Sequence, residues 1–154
     1  MTNKQIVEKF YESFSRRDFN GMNACYSDDI VFSDPVFGFL EGEEVKKVWE
    51  MLCKNAKDFS LGYENITELD NEYLTCNWFA TYTFEPTGKK IENRIKAFMR
   101  INDGKISEHS DAFRLSSWLA QAFGWKGKLF GWTHFMKRAV QKRARKNLDK
   151  FMGR

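Results

Sequence analysis

The sequence predicts an α+β domain in which three N-terminal helices lie across a curved antiparallel sheet, followed by a basic helical extension. Three observations carry this. Apolar residues recur at three- and four-residue steps in the first third of the chain, then switch to two-residue alternation from Phe59 onward. The alternating segments are joined by the turn sequences Asp70-Asn71, Pro86-Thr87-Gly88 and Asn102-Asp103-Gly104, which make them an antiparallel meander. Charge is divided along the chain: residues 126–154 hold 10 Lys and Arg against 1 Asp, a net of +9, whereas residues 1–125 carry a net of −5.

Thr2 or Asn3 caps a first helix through Phe14, with Ile6, Val7, Phe10, Tyr11 and Phe14 on its apolar face. Asp18 caps a second, shorter helix through Met22 and Tyr26. Ser27-Asp28-Asp29 reads as a turn, and Ile30 to Asp34 as a short strand stopped by Pro35. A third helix spans Gly42 to Lys57 and turns Val45, Val48, Trp49, Leu52 and Cys53 to one side. Four long strands follow: Phe59 to Leu69, Tyr73 to Phe84, Ile91 to Ile101 and Lys105 to Leu115. Leu74, Cys76, Trp78, Ala80, Tyr82 and Phe84 share an apolar face, as do Ile91, Ile95, Ala97, Met99 and Ile101 on the next strand, while Glu92, Arg94, Lys96 and Arg100 point the other way. A sheet bent over three helices leaves a cavity at its open end. In the extension, Trp118 to Phe123 is helical and Gly124 to Lys128 is a break. Thr133 then caps a final helix through Phe151, with the apolar stripe Phe135, Met136, Val140, Ala144, Leu148 and Phe151 opposite a Lys/Arg face.

The length of 154 residues fits one domain, and 42% hydrophobic with 16% aromatic residues excludes a disordered chain. No apolar stretch is long enough to cross a bilayer, and the first ten residues lack the apolar core of a secretory signal, so a cytoplasmic protein is expected. Cys25, Cys53 and Cys76 form no C-x-x-C pair and sit among core-type residues, which predicts buried free thiols.

The run Asp18-Phe19-Asn20-Gly21, Tyr26-Ser27-Asp28-Asp29, Phe32-Ser33-Asp34-Pro35-Val36 and Gly42 resembles the opening of the ketosteroid isomerase and SnoaL-like superfamily, the cone-shaped fold shared with nuclear transport factor two. Asn102-Asp103-Gly104-Lys105-Ile106 with His109-Ser110-Asp111-Ala112-Phe113 resembles the last strands of SnoaL-like proteins and limonene epoxide hydrolase. The likeness covers residues 4–115. It implies a superfamily domain over residues 1–115 with a helical extension over 116–154, a buried pocket, and a homodimer packed through the outer face of the sheet.

By that resemblance Asp34 matches the isomerase general base, which works beside an oxyanion hole made of a Tyr and a protonated Asp. Phe32, Val36, Phe37 and Phe39 would desolvate its carboxylate and raise its pKa. The bland alternative is a turn former before proline. The isomerase tyrosine falls at Phe10 and the protonated acid near Lys96, so the usual oxyanion donors are missing. His109 and Asp111 lie two apart on a strand and share a face. A three-residue loop at Asn102-Asp103-Gly104 turns them to the pocket, and a two-residue loop turns them outward. The resemblance favours inward, because Asp111 matches the acid or base of SnoaL-like cyclases. The alternative is a satisfied polar pair at the sheet end. The stretch Phe79 to Thr83 lacks the Arg-x-Asp pair of the epoxide hydrolases, which removes that reaction. The spacing of Asp34, His109 and Asp111 matches no metal motif, and no cofactor is expected.

Phe14, Trp49, Trp78, Tyr82, Phe113 and Trp118 are the expected ligand contacts, with Phe84 and Phe98 beside them in an apolar lining. The sequence therefore predicts a pocket for a small hydrophobic molecule, with acid–base isomerase or cyclase chemistry on Asp34, His109 and Asp111. The alternative is a non-catalytic ligand-binding or scaffold dimer whose basic amphipathic tail contacts a membrane surface or a partner. Nucleic acid is disfavoured because the tail's aromatics do not interleave with its Lys and Arg.

Overall fold

The computed structural model describes residues 1–154. Helix α1 (Asn3–Ser15) starts from a reciprocal cap: the Gln5 N–H donates to the Thr2 hydroxyl at 3.2 Å, and the Thr2 N–H donates to the Gln5 Oε1 at 2.9 Å. It buries Ile6, Val7, Phe10, Tyr11 and Phe14, as its periodicity requires. Helix α2 (Phe19–Asn23) is capped by Asp18, which accepts the Gly21 N–H at 2.9 Å. Gly21 allows that approach, since a Cβ there would lie 2.5 Å from the Asp18 carboxylate and 2.6 Å from the Ser13 hydroxyl.

The helix stops short of Tyr26, where strand β1 (Tyr26–Asp34) begins, so Ser27-Asp28-Asp29 is strand and not turn. The triplet falls where the pairing of β1 is interrupted, between Tyr26 and Val31. Asp28 and Asp29 face water there without ending the strand. A strand absent from the sequence reading, β2 (Gly38–Glu41), returns alongside β1 as a short hairpin pairing Asp34 with Gly38. Helix α3 (Glu43–Asn55) buries Val45, Val48, Trp49, Met51 and Cys53, while Leu52 is exposed.

The meander consists of β3 (Ser60–Glu68), β4 (Tyr73–Phe84), β5 (Lys89–Asn102) and β6 (Lys105–Ala112). The six strands run in the order β2-β1-β6-β5-β4-β3, all antiparallel except the parallel β1–β6 pair. Helices α1 and α3 contribute to one continuous core with the apolar faces of β1, β4, β5 and β6. The three cysteines are free and buried.

The turn from β5 to β6 decides which way the candidate site residues face. Its loop is the two residues Asp103 and Gly104, with φ of 51° and 74°, so Asn102 pairs with Lys105 and Ile101 with Ile106. Unbroken, that register would send His109 and Asp111 outward. A β-bulge at Ser107 adds one residue to β6, so that Arg100 pairs with Glu108, Met99 with His109 and Ala97 with Asp111. Both side chains are thereby returned to the buried face. Phe98 is a correction to the expected lining: it pairs with Thr75 and Ser110 on the outer face and is 40% exposed. Its even position on β5 already assigned it to the side of Lys96 and Arg100.

Strand β6 ends at Ala112, three residues earlier than expected, and α4 (Leu115–Phe123) begins at Leu115. Beyond the end of β6, the N-terminal part of β5 lacks a strand partner on that side. The Gln121 side chain takes that place, accepting the Glu92 N–H at 2.7 Å and donating to the Glu92 carbonyl at 3.0 Å. The expected break at residues 124–128 shrinks to Gly124, and α5 (Trp125–Phe130) follows at once. Helix α6 (His134–Phe151), capped by Thr133, folds back on α3. Leu148 is fully buried, the Gln141 amide donates to the Pro35 carbonyl at 2.9 Å, and Arg145 and Arg154 both engage Glu44. No helix is long and apolar enough to cross a membrane.

Candidate functional site

A cavity of about 790 Å³ lies between the concave sheet face, α3, α4 and α6. Phe14, Trp49, Trp78, Tyr82, Phe113 and Trp118 all line it, and so does Phe84. Three carboxylates, Asp34, Glu85 and Asp111, line the same cavity, and Arg17 and Lys150 supply positive charge on its wall. His109 does not line it: its side chain is fully buried behind Asp111. The C-terminal helix contributes Ala144, Asn147 and Phe151 to the wall, so residues beyond 115 complete the pocket.

Asp34 ends β1, where Pro35 turns the chain into the hairpin. Its Oδ1 accepts the Val36 N–H at 2.9 Å and the Phe37 N–H at 2.6 Å, the local bonding of a turn former. The same carboxyl faces the cavity, so the two readings of Asp34 coexist. Burial raises its pKa to about 6; the Phe37 N–H pulls against this and the charge of Asp111 adds to it.

Asp111 is held by a buried polar chain. The Trp49 indole N–H donates to the Tyr26 hydroxyl at 2.9 Å, and that hydroxyl meets His109 Nδ1 at 2.7 Å. His109 Nε2 lies 3.0 Å from Asp111 Oδ1, which also accepts the Trp78 indole N–H at 3.2 Å. The two indoles donate only, which fixes the bonds at the two ends of the chain: Trp49 donates to Tyr26 and Trp78 to Asp111. At the other bonds the carboxylate of Asp111 can only accept, so His109 donates to it from Nε2, and in the tautomer with its proton there Nδ1 accepts from the Tyr26 hydroxyl. Burial, with the charge of Asp111 behind it, pushes the Tyr26 hydroxyl far above its ordinary value, so it keeps the proton it donates. Asp111 Oδ2 takes no bond from the protein.

A second hydroxyl stands in the cavity. Tyr82 accepts the Trp118 indole N–H at 2.7 Å, which leaves its own O–H free to donate. Burial raises its pKa, Trp118 opposes that, and the charge of Asp34 adds to it, so Tyr82 and Asp34 are within electrostatic reach of each other. Phe10, which the resemblance matched to the isomerase tyrosine, packs edge-on to the His109 ring with centroids 5.5 Å apart. Tyr11 is fully buried, and its hydroxyl has no partner. Lys96 pairs with Ala112 on the outer face, its ammonium 5.4 Å from the Phe98 ring centroid, so it takes no part in the pocket. No group of three His, Cys, Asp or Glu side chains is arranged to hold a metal ion.

Sequence reasoning missed the Tyr26 link, the Tyr82–Trp118 pair and the contribution of α6. Tyr82 was visible on the apolar face of its strand, but its partner comes from a helix 36 residues away. The signal for α6 was its apolar stripe, whose C-terminal half, Ala144, Leu148 and Phe151, packs inward.

No curated protein matches the sequence. Solved structures do match the fold. A nuclear transport factor two-like protein from Burkholderia thailandensis is 22% identical with a TM-score of 0.69, over 80% of this chain and 98% of that one. A protein with a ketosteroid isomerase-like fold from Catenulispora acidiphila, in complex with trimethylamine, is 15% identical with a TM-score of 0.68, over 80% and 95%. A putative polyketide cyclase from Pseudomonas putida is 19% identical with a TM-score of 0.61, over 79% and 98%. At these identities the likeness is one of fold. Residues 7–109, from α1 to His109 in the middle of the polar chain, match the SnoaL-like domain family, and this chain belongs to that family.

Proposed function

We propose that the protein binds a small hydrophobic molecule carrying a carbonyl group and moves a proton on it, as in isomerisation or cyclisation. The observation that carries this reading is a pocket carboxyl, Asp34, raised to about 6 within electrostatic reach of a tyrosine hydroxyl that is free to donate. A base poised just below neutral pH is mostly ionised and still strong enough to take a proton α to a carbonyl. The charge that develops on the carbonyl oxygen meets the Tyr82 O–H, oriented by Trp118. Tyr82 would supply the donor that the resemblance leaves missing at Phe10 and Lys96. Asp111, oriented by His109 and Trp78, offers Oδ2 as a second acid–base or hydrogen-bonding position. His109 acts through Asp111 and is a positioning residue. Phe14, Trp49, Trp78, Phe113 and Phe151 exclude water from the reacting group. The trimethylamine held by the Catenulispora acidiphila relative supports small-molecule binding.

The second reading is a non-catalytic ligand-binding or scaffold dimer whose tail meets a membrane or a partner. The outer sheet face favours the dimer, since Phe39 is 63% and Phe98 40% exposed there. Native mass spectrometry of the purified protein, with released compounds identified, tests the pocket; a stoichiometric hydrophobic carbonyl compound is the expected result. Turnover of that compound should vanish in Asp34→Asn with binding retained. Binding without turnover in either protein would leave the scaffold reading.

A further inference from the structure

The C-terminal segment between α4 and the middle of α6 presents apolar surface that the fold does not use. Trp125 is 66% exposed, Leu129 56%, Phe130 52%, Trp132 71% and Phe135 85%. Large aromatics at such exposure rarely gather on a surface without a partner. Their own domain offers them no seat. Helix α5 is pressed onto α4 through Gly127, where a Cβ would lie 1.8 Å from the Leu119 carbonyl oxygen. Gly127 and Gly131 form the buried side, and the bulky residues are left on the other.

The charge around this tip is of one sign. Lys126, Lys128, Arg138 and Lys142 are exposed, and no acidic residue occurs between Asp111 and Asp149. Asp149 itself is engaged by Arg145 and Arg154. The far half of α6 is excluded as an apolar contact surface, because Leu148 is buried and Ala144 and Phe151 wall the pocket. The helix therefore cannot lie along a bilayer over its whole length. The aromatic tip is the part that remains available.

We infer that this tip, Trp125 to Phe135 with its flanking lysines and arginines, seats the protein on an anionic lipid bilayer. Tryptophan and phenylalanine enter the interface between headgroups and acyl chains, and the basic side chains meet lipid phosphates and carboxylates around them. Exposed bulky residues gathered in one short segment that carries only basic charge suit a bilayer better than a nucleic acid, which requires aromatics spaced along the basic track. The inference does not depend on the chemistry assigned to the pocket.

The test is flotation of the full chain with vesicles of phosphatidylcholine alone and of phosphatidylcholine mixed with phosphatidylserine, read with tryptophan fluorescence. Binding to the mixed vesicles with a blue shift, and little binding to the neutral ones, is expected. Lys126→Gln and Lys128→Gln should each weaken binding roughly fivefold, in line with the contribution of one basic residue near a charged surface. The combined substitution Trp125→Ser, Trp132→Ser and Phe135→Ser, at positions where the side chains are mostly exposed and the fold is expected to persist, should weaken it by at least about a hundredfold. A circular dichroism spectrum like that of the unaltered chain verifies folding. The inference is overturned by unaltered vesicle binding in the triple variant or by no binding to mixed vesicles in any form. It is equally overturned by a change in sedimentation with protein concentration that the triple variant abolishes, which assigns the tip to a second copy. Binding to duplex RNA or DNA that survives loss of the aromatics, with none to vesicles, overturns it as well.

Discussion

Replacing Asp34 with asparagine should make the folded protein more stable at neutral pH. The substitution keeps volume and leaves an Oδ1 to accept the Val36 and Phe37 N–H bonds, so it removes the charge and little else. In the fold the carboxyl titrates at about 6 against an ordinary 3.8, with burial the largest cause. That difference corresponds to about 3 kcal/mol disfavouring the ionised carboxylate in the native state. Below the ordinary value both states hold the proton, and the penalty is absent. Between the two values the native state holds a proton that the unfolded chain has released, so stability falls as pH rises. Above about 6 the whole penalty is present. Asp34→Asn should therefore match the unaltered protein near pH 4 and exceed it by about 1–3 kcal/mol near pH 8, the range allowing for asparagine being a weaker acceptor than a carboxylate. Urea denaturation across that pH range reads the difference directly from midpoints at constant slope. A variant that is less stable than the unaltered protein at pH 8, or whose difference does not vary with pH, would refute the assignment of Asp34 as a desolvated carboxylate.

Tyr26→Phe should cost about 1–3 kcal/mol, because it leaves the Trp49 indole N–H and His109 Nδ1 buried without partners; urea midpoints measure it. Trp118→Phe removes the donor that orients Tyr82, and should cost about 1 kcal/mol of stability while weakening a carbonyl ligand more than an all-hydrocarbon analogue, as calorimetry would show. Phe98→Glu places a charge on the outer sheet face where an isologous dimer would bury it, and should give a monomer in sedimentation velocity; an unchanged dimer would move the interface elsewhere.

Secondary structure was legible wherever periodicity ran for more than about ten residues. Helices α1 and α3 and strands β4 and β5 appear within a few residues of their expected limits because each has one face committed to the core. The losses came where few residues decide. Strand β2 is four residues long, and only one of them, Leu40, is buried, too few to set a period. Ser27-Asp28-Asp29 has turn composition, yet the chain stays extended through it because β1 is paired to β6 on both sides of the triplet, at Tyr26 and from Val31. The orientation of His109 and Asp111 shows how a residue count at a turn can mislead. The loop has the length that would turn them outward, and one bulged serine reverses the result. Nothing in the local sequence of Ser107 announces that bulge. The pairing of Tyr82 with Trp118 depends on how the extension folds back, which is a tertiary fact and leaves no trace in either segment alone.

The buried polar chain also explains why a carboxylate can sit in so apolar an interior. Asp111 is 5% exposed, and an isolated charge at that depth would be strongly disfavoured. Two N–H donors on Oδ1 compensate it, one from Trp78 and one from His109. With its proton on Nε2, His109 leaves Nδ1 to accept from the Tyr26 hydroxyl, and Tyr26 is aligned in turn by Trp49. Each link is satisfied by the next, so the chain holds together as a unit or fails as one. The charge kept in this way is felt outside the chain: it contributes to the raised positions of Asp34, Tyr11 and Cys76 as well as Tyr26. Asp111 thus has two effects on one pocket. Its Oδ2 stands beside the cavity without a protein partner, and its charge helps raise Asp34. An arrangement serving only to stabilise the fold would gain from replacing these groups with apolar ones of the same volume. The polar chain leaves one Asp111 oxygen beside the cavity without a protein partner, and the binding role proposed for Asp111 rests on that placement.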